Sequence, residues 1–223
     1  MTDRDPEYRH PKSRTRVKIC GLTDPDNAAA CARAGADIIG LIFYPKSPRH
    51  LEPSQAKAVV QALPDHVPAW GVFVNEHPDV IMETVRACGL KGVQLHGQEP
   101  PGLITALKNQ GLTVIKAVFA SRSPGLDSID SLYEAADFYL VECGQGKLPG
   151  GNAKTWDYRQ VRKTAREHPV ILAGGLCCDN IEQALAQADP AGVDVSSGVE
   201  SSPGIKDIDR VAELIRRVKN QKP

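Results

Sequence analysis

The chain has 223 residues, 41% of them hydrophobic and 24% charged, and its 27 basic and 27 acidic side chains cancel at neutral pH. That balance gives no electrostatic case for nucleic acid or an anionic membrane surface, and no apolar run approaches the roughly 20 residues of a membrane span. The cysteines, Cys20, Cys31, Cys88, Cys143, Cys177 and Cys178, match neither a zinc-ligand spacing nor a small disulfide framework. A reducing compartment, no metal and mostly buried thiols are expected.

Residues 1–14, MTDRDPEYRHPKSR, are polar and lack the apolar stretch of a secretory signal. They read as a disordered leader to a cytoplasmic protein. From residue 15 to 223 one theme repeats without a linker: a short apolar run, a loop, then a helical pattern. The predicted strands are 15–21 (TRVKICG), 38–44 (IIGLIFY), 69–75 (AWGVFVN), 92–97 (GVQLHG), 113–120 (TVIKAVFA), 138–143 (FYLVEC), 169–175 (PVILAGG) and 192–198 (GVDVSSG). The predicted helices fall near 25–34, 53–63, 78–88, 100–110, 126–136, 157–167, 179–187 and 207–219. Pro25, Pro53 and Pro78 take first-turn positions after Asp24, Glu52 and His77, and Asp157 and Asp179 are candidate caps. The segment GLDSIDSLYEAAD is the weakest of the helical patterns.

Strand–helix alternation implies a parallel sheet. Eight units make a single α/β domain, a (β/α)8 barrel (TIM barrel), over 15–223. The competing open doubly wound sheet wants a GxGxxG turn early in the chain, and KICGLTD has none.

Side chains alternate along a strand. Lys18 and Cys20 therefore share a face, as do Gln94 and His96, Leu140 and Glu142, and Asp194 and Ser196. The polar members are expected inside the barrel, since the helix-facing side must be apolar. Lys18, Gln94 and Lys116 would lie deeper, with Lys18 or Lys116 pairing with Asp194. Cys20, His96 and Glu142 come late in their strands, at the end where barrel active sites lie.

The loops after strands seven and eight are rich in glycine and serine. In many barrels these two loops and a short extra helix bind phosphate through backbone N–H groups. Gly174, Gly175, Ser197 and Gly198 are the candidates, with a short helix expected in SGVESS. The partner would be a small phosphorylated molecule, with no nucleic acid and no membrane.

The stretches KICGLTD, GLIFYPKSPRHL, GVFVN, VQLHG, AGGL and GVDVSSGVESSPGIKD resemble the phosphoribosylanthranilate isomerase family, in order, over about residues 15–220. The resemblance implies a (β/α)8 barrel with no cofactor or metal. It also implies an Amadori rearrangement of N-(5-phosphoribosyl)anthranilate to the 1-deoxyribulose 5-phosphate. Cys20 matches the family's general base, which takes the proton from C2 of the opened ribose imine. Arg49 matches the partner of the anthranilate carboxylate, a planar anion suited to a guanidinium fork. The glycines and serine above match the phosphate site. Asp194 matches an inward aspartate near the substrate, and His96 is taken as a further substrate contact.

Glu142 stands where the family generally has aspartate, the general acid for the ring oxygen. The loop GGNAKTWDY (150–158) also departs, with Asn152 and Ala153 replacing a threonine or serine and a glycine. Glutamate is longer by one methylene, about 1.5 Å, and a misplacement of around 1 Å can cost on the order of 100-fold in rate. A cysteine base needs a local positive field to lower its pKa. Two other readings stay open: an isomerase or lyase of another sugar phosphate, and a non-catalytic phosphometabolite-binding paralogue. Monomer and homodimer both fit.

Overall fold

The computed structural model describes residues 15–144 and 155–220. The expected leader, and Asn152 and Ala153, lie outside the described residues. Eight parallel strands close in chain order: β1 (Arg16–Cys20), β2 (Ile38–Ile42), β3 (Ala69–Phe73), β4 (Gly92–Leu95), β5 (Thr113–Phe119), β6 (Phe138–Glu142), β7 (Val170–Leu172) and β8 (Gly192–Val195), with β8 pairing back on β1. This is the expected (β/α)8 barrel.

The register runs Lys18 opposite Asp194 and Ile38, Cys20 opposite Gly40, Gln94 opposite Ile115, and Phe119 opposite Glu142. Neighbours in register share a face. Ile38, Trp70, Ile115, Ala117, Phe119, Phe138, Leu140, Ile171 and Ala173 fill the barrel interior. The alternate positions, such as Val17, Ile19, Val93, Leu95, Val114 and Val141, pack against the helices. Strands covered on both faces read as nearly continuous apolar runs, which is why a polar residue within them is informative.

Lys116 overturns one expectation. It sits between the interior residues Ile115 and Ala117, so its side chain faces outward. There Nζ donates to the carbonyls of Leu95 and Gly97 (3.2 and 2.7 Å) and to Glu99 Oε2 at 2.7 Å. A polar strand residue does face the helix layer here, because the end of β4 supplies acceptors and Glu99 supplies the counter-charge. Lys18 alone takes Asp194.

The helices are α1 (Pro25–Arg33), α2 (Pro53–Ala62), α3 (Pro78–Cys88), α4 (Pro101–Lys108), α5 (Ser128–Leu132), α6 (Arg162–Glu167), α7 (Ile181–Ala188) and α8 (Ile208–Lys219). Asp24 accepts from Asn27 N (2.8 Å), Glu52 forms a capping box with Gln55, and His77 accepts from Asp79 N. Asp157 caps a 3-10 turn over Tyr158–Val161 that leads into α6, so the pattern at 157–167 is two pieces. Asp179 is not a cap. Asn180 holds that position and turns its amide oxygen to Cys177 N (2.9 Å). The 126–136 pattern shrinks to five residues, closed by Tyr133 N on Ser128 O. None of the described helices is long and apolar enough to cross a membrane.

One element was not expected. After β8 and the anticipated short helix, a 3-10 turn at Ser197–Val199, the chain forms a small hairpin of β9 (Glu200–Ser202) and β10 (Ile205–Lys206). Gly204 in its turn has φ +90°, a conformation that favours glycine.

Glu99 also accepts from Asn75 N and Gly97 N (3.0 and 2.8 Å). Glu99→Ala would leave a buried ammonium without its counter-charge and two amides without their acceptor. The expected loss is about 3–5 kcal/mol in urea unfolding, and a loss below about 1 kcal/mol would show that Lys116 finds other compensation.

Candidate active site

Cys20 ends β1 with its side chain inward and buried. Two residues deeper on the same face, the Lys18 ammonium donates to Asp194 Oδ1 at 2.8 Å. Gly40 makes room for both. A Cβ on Gly40 would stand 2.7 Å from Cys20 Sγ and 2.9 Å from Lys18 Nζ. Thiol and ammonium thus meet over the same patch of backbone.

Burial has the largest influence on Cys20 and pushes its thiol pKa up. Asp194 adds to this, while Lys18 and Lys206 oppose it, and the net shift is upward. The positive field that a cysteine base requires is present, but it does not outweigh desolvation. Lys18 is the reverse case. Burial would lower it, but Asp194 and Cys20 beside it hold its ammonium above the ordinary value.

Glu142 ends β6, across the barrel from β1, and is buried. Its Oε1 lies 3.3 Å from His96 Nε2. On the other side of that ring Gln94 Nε2 is 2.7 Å from Nδ1. With the Gln94 NH2 turned to Nδ1, the tautomer that carries its proton on Nε2 suits both contacts, donating from Nε2 to Glu142. Gln94 Oε1 is buried and has no partner among the described residues. Phe119 packs against His96, with ring centroids 5.8 Å apart.

The loop after β7 is braced from behind. Trp156 Nε1 donates to Ala173 O (3.1 Å), Tyr158 Oη to Gly174 O (2.8 Å) and Asn180 Nδ2 to Gly175 O (2.8 Å). With these carbonyls held, Gly174 and Gly175 at φ +90° and +70° present their amides. The N–H groups of Gly174, Gly175, Ser197 and Gly198 donate to no described acceptor. Gly198 lies so close to the Leu176 carbonyl that a Cβ would collide with it. The two glycine-bearing loops therefore form one cradle, a nest of free donors suited to an anion. Glu142 is next to it, since a Cβ on Gly174 would be 3.4 Å from Glu142 Cβ.

Arg49 is placed differently from a solvated loop charge. Its side chain is 8% exposed, and Nε and Nη2 donate to Glu200 Oε1 and Oε2 at 2.7 and 2.6 Å. Lys206 Nζ donates to the same Oε1 at 2.7 Å. Burial would raise the Glu200 pKa, but Arg49, Lys206 and the Gly204 N–H bring it down to about 2. Gly21, with φ +77°, lets Arg49 lie against the chain just after Cys20, for a Cβ there would be 2.5 Å from Arg49 Cδ.

The structure thus brings Cys20, His96, Glu142, Asp194, Arg49 and the four cradle residues to one end of the barrel. Sequence reasoning missed Gly40, Glu200 and Lys206. The signal for Gly40 was present, as a glycine inside a strand marks close approach. Glu200 and Lys206 gave none, because their pairing depends on the unexpected hairpin.

Side chains gathered at the carboxyl end of a closed parallel barrel mark an enzyme of the (β/α)8 class. A family model for N-(5'-phosphoribosyl)anthranilate (PRA) isomerase matches residues 17–217. The N-(5'-phosphoribosyl)anthranilate isomerase of Desulfatibacillum aliphaticivorans is 48% identical over 201 residues, covering 90% of this chain and 91% of that protein. The crystal structure of the Thermotoga maritima phosphoribosyl anthranilate isomerase superposes with a TM-score of 0.84 at 36% identity, covering 93% of this chain and all of that one. A phosphoribosyl anthranilate isomerase in complex with reduced 1-(o-carboxyphenylamino)-1-deoxyribulose 5-phosphate has a TM-score of 0.82 at 35% identity, with 93% and 100% covered. The chain belongs to the phosphoribosylanthranilate isomerase family.

Gly40→Ala tests how the thiol is seated. It should displace Cys20 Sγ or Lys18 Nζ and lower turnover about 100-fold, with the fold retained by near-UV circular dichroism. Wild-type turnover would mean that the glycine is dispensable.

Proposed function

We infer that the chain isomerises N-(5-phosphoribosyl)anthranilate to 1-(2-carboxyphenylamino)-1-deoxyribulose 5-phosphate, an Amadori rearrangement in tryptophan biosynthesis. The observation that supports the residue roles is that Cys20 and Glu142 end β1 and β6 with inward side chains, beside four N–H groups that donate to no described acceptor. Glu142 acts as general acid. It protonates the ribose ring oxygen as the C1–O bond opens to the imine. Cys20 as thiolate takes the proton from C2, and the electrons of that C–H bond pass into the enolamine, which tautomerises to the ketone. The cradle of Gly174, Gly175, Ser197 and Gly198 holds the phosphate, and Arg49 takes the anthranilate carboxylate. Asp194 acts through Lys18, and His96 holds Glu142. We take the protein to work in the cytoplasm, as a monomer or homodimer.

Complementation of a tryptophan auxotroph lacking this isomerase tests the activity as a whole. Cys20→Ala and Glu142→Gln should each lower turnover at least about 100-fold while product binding stays within a few-fold. Near-normal rates for either variant would remove that residue from the chemistry. Glu142→Asp would withdraw the carboxyl from His96, so a fall is expected; a rise would show the longer side chain to be a handicap.

The raised Cys20 thiol sets the pH dependence. The base is active when deprotonated, so kcat/KM should climb with pH through the range above the ordinary thiol pKa of about 8.5. Lys18 opposes the rise, so Lys18→Met should move this limb to still higher pH. An unmoved limb would show that Lys18 does not act on the thiol.

A further inference from the structure

Arg49, Glu200 and Lys206 form a buried group with two cations and one anion. Glu200 occupies the side edge of the guanidinium, the one formed by Nε and Nη2. Nη1 donates to no described residue. The end edge, Nη1 with the second Nη2 hydrogen, is left for another acceptor. A guanidinium binds planar anions as a fork, two parallel hydrogen bonds at a time. A side chain locked along one edge is therefore aimed along the other.

The lock is itself held. Oε1 of Glu200 also accepts from Lys206 Nζ at 2.7 Å and from Gly204 N at 3.2 Å. Lys206 reaches Ser196 O and Oγ, both at 3.3 Å, and its backbone is tied to α1 by two 2.8 Å bonds with the Asn27 amide. The β9–β10 hairpin thus connects the arginine on the loop after β2 to the frame of the barrel.

We propose that Glu200 is a positioning residue that sets selectivity for a carboxylated ligand, by fixing the free edge of Arg49 in the orientation a second carboxylate requires. This rests on the assignment of Arg49 to the anthranilate carboxylate. It goes further by identifying what makes the arginine selective. A rotating guanidinium would accept the carboxylate in many poses and lose conformational entropy on binding, whereas a fixed one has lost it in advance.

Two roles for Glu200 predict opposite results. If Glu200 merely balanced charge, removing it would leave two cations and tighten binding of an anionic ring. If it aims Arg49, removal weakens that binding. Two probes separate the cases by titration calorimetry: reduced 1-(2-carboxyphenylamino)-1-deoxyribulose 5-phosphate, and its phenylamino counterpart without the carboxylate. With Glu200→Gln the carboxylated probe should bind about 10- to 100-fold more weakly, with the counterpart unchanged within about 2-fold. KM should rise by a similar factor while kcat changes little. Glu200→Asp keeps the charge but shortens the reach, so it should also lose affinity for the carboxylated probe alone. It carries the test by itself if Glu200→Gln fails to fold.

Unchanged or tighter binding of the carboxylated probe overturns the proposal. So does equal weakening of both probes, which would make Glu200 a general support of the site. Wild-type protein that binds the two probes equally overturns the role given to Arg49, and wild-type protein that binds neither overturns the functional reading beneath it.

Discussion

The closure of β8 on β1 sets Lys18 directly opposite Asp194 inside the barrel, and the 2.8 Å ion pair they make there supports the rest of the site. A buried ammonium needs a partner within reach. The register that closes the barrel supplies one, so fold and charge balance are settled by the same pairing. One layer further out, Cys20 lies over the Lys18 ammonium on the Gly40 backbone. A slip of one residue in β1 would turn Lys18 and Cys20 out toward the helices, removing the thiol and its neighbouring cation together.

That arrangement explains the opposing forces on the thiol. Burial excludes water from the reacting carbon but favours the neutral sulfur, and Asp194 acts in the same direction. Lys18 from below and Lys206 from the side pull the other way. Asp194 helps hold Lys18 charged, so it favours the thiolate of Cys20 through Lys18 while opposing it directly. The upward net shift is the consequence of placing the thiol in a closed interior rather than on an open loop.

The alternation of apolar runs and helical patterns made the barrel legible, because strands buried on both faces are continuous in hydrophobicity and polar intrusions stand out. Cys20, His96 and Glu142 were readable for that reason. Polarity alone pointed Lys116 inward, and polarity misleads there, because β5 turns Ile115, Ala117 and Phe119 inward. The glycines of the N–H cradle were readable from their positions at strand ends seven and eight. The Arg49–Glu200–Lys206 group was not. No local propensity reports a contact across 151 residues of chain, and Glu200 in an exposed-looking Ser/Gly/Pro segment resembles any solvated loop acid. The roles of Cys20, Arg49 and Glu142 came from resemblance, and spacing alone does not supply them.

The glutamate at 142 is best understood through what it touches. A carboxyl anchored only by its own backbone would be mispositioned by an extra methylene. Here the extra length ends on His96, whose ring is held by Gln94 on one side and Phe119 on another. The longer side chain has more rotamers to lose, and the imidazole contact selects among them. The same contact makes the two carboxyl oxygens unlike, since Oε1 is the one that meets His96 Nε2. The segment carrying Trp156 and Tyr158 braces the loop against which Glu142 packs, so Glu142, its histidine seat and the glycine cradle are parts of one mechanical unit. Lengthening this side chain without a histidine at the end of β4 would release the carboxyl; with it, the added reach is what seats the carboxyl against the imidazole.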